Sequence, residues 1–151
     1  MFLKEIFDNL VGNWSFERKI YDRKTQNLDT ARGNASFVVS KAETNKLFYQ
    51  EKGILLLAKS SKQINFQRKY VYFLENNAIH IFLDDGVTKG KLFQTLIPLE
   101  SENSFIGTEH ICRLDRHNGK YFFKDKSSFT TEYTITGKDS NIEIQSIYLK
   151  V

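Results

Sequence analysis

The sequence predicts an all-β domain, an up-and-down antiparallel barrel of about eight to ten strands with a short helix at its start. Three observations carry this. The 151 residues include 13 Phe, 7 Tyr and 1 Trp, and aromatic side chains suit pleated, half-buried surfaces. A single proline leaves the strands unbroken, because proline removes a donor from the ladder. From Trp14 onward, apolar residues recur at every second position between short polar breaks, which is the side-chain period of a strand. A meander of that length exposes two open edges unless it closes, and closure into a barrel removes them. One domain spanning residues 1–151 is expected, and a chain of this size buries roughly 68–70% of its unfolded surface.

The elements follow in order. Phe2, Leu3, Ile6, Phe7, Leu10 and Val11 recur at helical spacing, with Lys4, Glu5, Asp8 and Asn9 between them. This predicts an amphipathic helix stopped at Gly12. The period then changes to two: Trp14, Phe16, Arg18 and Ile20 share one face of a strand. Further strands are expected near 13–22, 32–41, 46–58, 62–74, 78–84, 91–97, 104–114, 119–125, 128–136 and 141–150. The breaks are Asn27 to Thr30, Glu43 to Asn45, Ser60-Ser61, Asn76-Asn77, Asp85-Gly86, Glu100 to Asn103, Asn118-Gly119 and Gly137 to Asn141. Asn118-Gly119 carries the most specific signal, since a type I′ hairpin turn needs φ > 0 at both central residues.

Composition removes several classes. One cysteine, Cys112, rules out an internal disulfide and suits a reducing compartment. The first eleven residues lack the basic start and uninterrupted apolar stretch of a signal peptide. No window approaches 18 apolar residues, so no membrane span is expected, and the reading is cytoplasmic. The net charge of +4 arises in the first half, where 13 Lys/Arg face 8 Asp/Glu. Dense Lys/Arg clusters of the kind that bind nucleic acid are missing, and the excess reads as a solvated surface.

Leu10-Val11-Gly12-Asn13-Trp14 followed by Arg18 resembles the opening Gly-x-Trp signature of the calycins, the superfamily of lipocalins and fatty-acid-binding proteins. More of the chain resembles an uncharacterised bacterial and fungal family of small lipocalin-like domains. The matching pieces are Gly12-x-Trp14-x-x-x-Arg18, Gly33-x-Ala35, Tyr49-x-Glu51-x-Gly53, Arg68-x-Tyr70, Phe82-x-Asp84-Asp85-Gly86, His110-x-Cys112-x-x-Asp115 and Gly137-Lys138-Asp139. The chain departs from the family pattern at Lys91-Leu92-Phe93-Gln94, where an aromatic-His stretch is usual. It departs again at Arg116-His117, where an aromatic is usual. The resemblance implies a barrel whose Trp packs across the closed end.

Charged residues stand on strand faces expected to point inward. Arg18 shares a face with Trp14, Glu51 with Tyr49, and Arg68 with Tyr70 and Tyr72. A buried arginine keeps its charge and needs a partner. Three arrangements are open: an internal Arg–Glu network using Glu51 in a filled barrel, Arg18 and Arg68 with the Tyr70 hydroxyl holding an anionic head group, or exposure of one or both arginines. His110 and Cys112 lie two apart on one strand face. Without a second cysteine or a clear third ligand they read as cavity wall, and no metal is assigned. A Cys–His nucleophile pair would need a third orienting group, and no residue requires that role. Asp84-Asp85-Gly86 reads as a hairpin turn.

The expected function is binding of a small, partly apolar, anionic ligand in the barrel cavity. The ligand-binding residues would be Arg18, Glu51, Arg68, Tyr70, His110, Trp14, Tyr49 and Tyr133, with Phe16 and Phe129 completing the wall. No catalytic residue and no cofactor are assigned. The alternatives are an isomerase, lyase or hydrolase using His110 in the same cavity, a heme-binding barrel with His110 or His80 as axial ligand, and a partner-binding barrel without a ligand. The oligomeric state is not legible in the sequence.

Overall fold

The computed structural model describes residues 2–151. Helix α1 (Leu3–Leu10) precedes strands β1 (Gly12–Asp22), β2 (Asn27–Val39), β3 (Lys46–Leu56), β4 (Gln63–Glu75), β5 (Ala78–Leu83), β6 (Leu92–Pro98), β7 (Ser104–Gly107), β8 (His110–Cys112), β9 (Asp115–Asp125), β10 (Ser128–Thr136) and β11 (Asn141–Lys150). Every pairing is antiparallel. Ten strands form a closed ring in the order β10-β11-β1-β2-β3-β4-β5-β6-β7-β9, with β9 returning to β10. The short β8 adds to β9 beyond the end of β7. The predicted all-β barrel with one short helix is therefore the observed architecture.

The helix closes one end. Eight residues are too few for a helix to persist in water by propensity alone, so packing holds it. Ile6, Phe7 and Leu10 are buried, and the Leu10 carbonyl accepts a 2.8 Å hydrogen bond from Trp14 Nε1. The Trp14 ring meets Phe129 edge-on at 5.0 Å, and Lys150 Nζ sits 5.3 Å over its face while donating to the Asn9 carbonyl. Gly12, at φ 131°, lets the chain leave the helix directly into β1.

Two glycines shape the wall. Gly33 and Gly53 face each other on β2 and β3, flanked by Phe16 on β1 and Phe66 on β4. A Cβ on Gly33 would lie 2.1 Å from the Lys52 carbonyl oxygen. The two backbones approach closely here, and the Phe16 and Phe66 rings, 6.3 Å apart, pack beside the glycine pair.

Three boundaries differ from the sequence reading. Asn118-Gly119 is not a turn but lies inside β9. Gly119 is there because the Tyr133 ring lies against its Cα, where a Cβ would meet Tyr133 Cε1 at 2.6 Å. The type I′ hairpin is at Asn76-Asn77, with φ 53° and 57° between the paired Glu75 and Ala78. The stretch 104–114 is interrupted, and its hairpin turns at Arg113-Leu114, so β9 begins at Asp115. Residues 27–30 are strand. The β1–β2 turn falls earlier because the Asp22 carboxylate accepts from the Lys24 and Thr25 amides.

One stretch of the ring is thin. β6 pairs with β7 only at residues 96–98, and no backbone ladder joins residues 92–94 to β8. Side chains stitch this seam. Gln94 Nε2 donates to the His117 carbonyl at 3.4 Å, and the Phe93 ring packs on the His110 ring at 4.8 Å.

Candidate functional site

A cavity of about 280 Å³ lies inside the ring, open at the end away from the helix. Its wall is aromatic and aliphatic, with Tyr49, Tyr70, Tyr72, Tyr121, Tyr133 and Tyr148 contributing six phenols. The volume is at the small end of ligand pockets, roughly 300–1,000 Å³. It is nearly twice the ~150 Å³ of an engineered cavity that admits benzene.

The deep side holds an arginine whose charge is compensated. Arg18 Nη1 and Nη2 donate to the two Glu51 carboxylate oxygens at 2.8 and 3.2 Å, Nε donates to Ser146 Oγ at 2.8 Å, and Nη2 also reaches the Tyr148 oxygen at 2.9 Å. Tyr49 donates to Glu51 at 2.6 Å. The side chains are 16% and 5% exposed. Burial works against the Arg18 charge, but the Tyr148 oxygen and the Glu51 carboxylate outweigh it, so its pKa stands above the ordinary arginine value. Bidentate geometry of this kind is the strong form of the ion pair.

A second polar chain runs along the wall. Tyr133 donates to Gln94 Oε1 at 2.6 Å, which uses its only proton. Tyr121 must therefore be the donor in the 2.5 Å contact with Tyr133. Tyr72 is buried in the same wall. Burial raises the pKa of each of these phenols, so all stay protonated at neutral pH.

The mouth differs. Arg68 on β4 is 49% exposed and touches Asp85 only through Nε, at 3.5 Å. The Asp85 Oδ2 it approaches already accepts the Lys69 amide at 2.8 Å. Among the described residues the two Nη groups of Arg68 have no hydrogen-bond partner. The Tyr70 ring lies 5.5 Å beneath the guanidinium, and burial pushes its hydroxyl up to about 12 against the pull of Arg68. That hydroxyl also has no partner among the described residues. Phe93 packs between Tyr70, His110 and Tyr133 at 5.6, 4.8 and 6.2 Å, and His110 meets His117 at 5.7 Å. Burial lowers the pKa of both histidines. His117 is lowered further by His110 and Arg68, against Asp115.

The structure brings Arg18, Glu51, Arg68, Tyr49, Tyr70 and Tyr133 to one cavity. Of the three arrangements open in the sequence, it makes the Arg18–Glu51 network, leaves Arg68 half exposed, and still leaves the barrel hollow. Trp14 is not in the cavity lining; it packs against the helix at the closed end. Nor is His110, which stands on the rim behind Phe93, and the histidine that faces the cavity is His117. Phe16 packs beside the glycine pair, while Phe129 lines the cavity. Cys112 is exposed.

Sequence reasoning missed Ser146, Tyr148, Thr131 and Gln94. Ile144, Ser146 and Tyr148 alternate along the last strand, and that period was the available signal. Gln94, fully buried, lies in the stretch that departs from the family pattern.

The family of unknown function (DUF6314) matches residues 10–150. No curated protein matches the chain in sequence. Among solved structures, the S-type phycobiliprotein lyase CPES from Guillardia theta superposes with a TM-score of 0.69 at 9% identity, covering 100% of this chain and 93% of that one. A protein of unknown function from the DUF3598 family of Nostoc punctiforme superposes with a TM-score of 0.61 at 8% identity. It covers 96% of this chain, which spans about half of that longer protein (49%). At these identities the likeness is one of fold. No helix among the described residues is long and apolar enough to cross a membrane.

Proposed function

We propose that this chain, which belongs to the family of unknown function (DUF6314), binds a small, partly apolar anion in the barrel cavity. The observation that carries this is the contrast in donor capacity around one void. The Arg18 charge is spent on Glu51, whereas Arg68 and Tyr70 present unused donors at the mouth. A carboxylate accepts from a guanidinium edge and a phenol together. The apolar body of the ligand would lie against Ile81, Ile135, Ile144 and Phe129.

This assignment keeps Arg68, Tyr70, Tyr49, Tyr133 and Glu51 in the binding site, with Glu51 as the counter-charge that holds Arg18. It adds His117 at the mouth. The barrel fold shared with the phycobiliprotein lyase of Guillardia theta is compatible with a ligand site, but does not name the ligand.

Titration calorimetry with phenylacetate, an aromatic carboxylate of fitting size, tests the reading. Saturable binding to one site, weakened at least tenfold in Arg68→Gln, is expected. A Kd above about 10 mM for phenylacetate, benzoate and hexanoate alike would sink it. Native mass spectrometry of protein purified from its own host adds an independent check through any co-purified small acid.

A further inference from the structure

The mouth does not exhaust the unused polar groups in the cavity. Thr131, on β10, is 5% exposed, and its hydroxyl has no hydrogen-bond partner among the described residues. No buried side-chain oxygen or nitrogen among them is left wholly enclosed without a partner, so this hydroxyl opens on the void it lines. Its cross-strand neighbour Ser146 on β11 accepts from Arg18 Nε and keeps its own proton free to donate. Together they form a small neutral polar spot, below Ile144 and Tyr133 and above Phe129 and Tyr148.

The position of that spot follows from the ring. β4, which carries Arg68 and Tyr70, and β10, which carries Thr131, are five strands apart in either direction around ten strands. The two sets of donors therefore face each other across the barrel. A threonine at an apolar cavity wall is costly unless something answers its hydroxyl. Valine would fill the same space.

We infer that the ligand is two-ended. Its anionic oxygens sit at Arg68 and Tyr70, and a neutral hydroxyl, carbonyl or amide group at the opposite side of its apolar body meets Thr131 and Ser146. The inference rests on the proposed anion site and deepens it, by excluding simple fatty or aryl monoacids as preferred ligands. The Thr131 hydroxyl can donate and accept, and Ser146 can donate. A ligand hydroxyl can therefore be satisfied in both roles.

The test uses phenylacetate, 3-hydroxyphenylacetate and 4-hydroxyphenylacetate against the wild-type chain, Thr131→Val and Ser146→Ala. At least one hydroxylated acid is expected to bind about fivefold tighter than phenylacetate, the worth of one net hydrogen bond of about 1 kcal/mol. Thr131→Val should cut that preference below twofold and leave phenylacetate unchanged. Ser146→Ala should reduce it partly. Binding of phenylacetate with no gain from either hydroxyl position overturns the two-ended ligand and leaves the anion site standing. A preference that survives Thr131→Val overturns it too. Failure of all three acids to bind overturns the anion site itself. A thermal melt of Thr131→Val within about 2 °C of wild type shows that the isosteric change left the barrel intact.

Discussion

The cavity has two arginines, one sealed into its wall and one half exposed at its mouth, and they differ in what surrounds them. Arg18 is almost sealed from solvent and spends its donors on Glu51, Ser146 and Tyr148. Arg68 is half exposed and holds one long contact to a carboxylate that is already engaged. A charge buried in the wall must be answered by the protein, because leaving it alone costs several kcal/mol. A charge at the mouth can be answered by water until a ligand arrives. The first arginine is thus held by the barrel itself, and under the proposed function the second is the one left for a ligand.

Removing the partner of the deep arginine should have the largest effect. Glu51→Gln leaves Arg18 charged inside the wall, and a loss of about 3–5 kcal/mol is expected in denaturant unfolding. A loss below about 1 kcal/mol would mean that solvent reaches Arg18 and would erase the contrast. The cavity wall is next. Gly119→Ala places a methyl against the Tyr133 ring, and about 1–3 kcal/mol of destabilisation should follow. The chain from Tyr121 through Tyr133 to Gln94 should be disturbed with it.

The mouth should answer in the opposite sense. Arg68→Gln is expected to change unfolding stability by no more than about 0.5 kcal/mol, while phenylacetate affinity falls at least tenfold. A large stability loss in that variant would make Arg68 a second structural arginine.

The smallest effect is in pH. His110 and His117 have pKa values held below the ordinary histidine value in the folded protein. The unfolded chain therefore binds more protons as pH falls below about 6.5, and stability drops there. An anion at Arg68 acts the other way on His117, favouring its protonated form. Phenylacetate stays ionised above pH ~5, so its affinity should rise two- to fivefold from pH 8 to 5.5. His117→Gln should flatten that profile. A flat profile in the wild type would place the anion away from His117.

The sequence legibility of these two arginines was unequal for a physical reason. Alternation along β1, β3 and β4 identified Arg18, Glu51 and Arg68 as inward residues, because the side-chain period needs no tertiary information. It could not say which arginine meets Glu51. That depends on the ring's closure, which brings Ser146 and Tyr148 beside Arg18 across 128 and 130 residues of chain. Local turn chemistry failed at Asn118-Gly119 for a related reason. The dipeptide has the composition of a hairpin, yet what selects glycine there is a tyrosine ring on another strand. At Asn76-Asn77 nothing competes, and the local preference is realised.

The ring closes by pairing β1 with β11. During synthesis at about 5–20 residues per second, the first strand leaves the ribosome several seconds ahead of the last. In that interval Arg18 lacks Ser146 and Tyr148, and the β1 edge that β11 will cover stays bare. Long-range pairing of this kind is slow to form and exposes aggregation-prone edges meanwhile. The nascent chain is thus a predicted chaperone client, and truncation before residue 141 should yield an insoluble product, which expression of such a fragment would reveal.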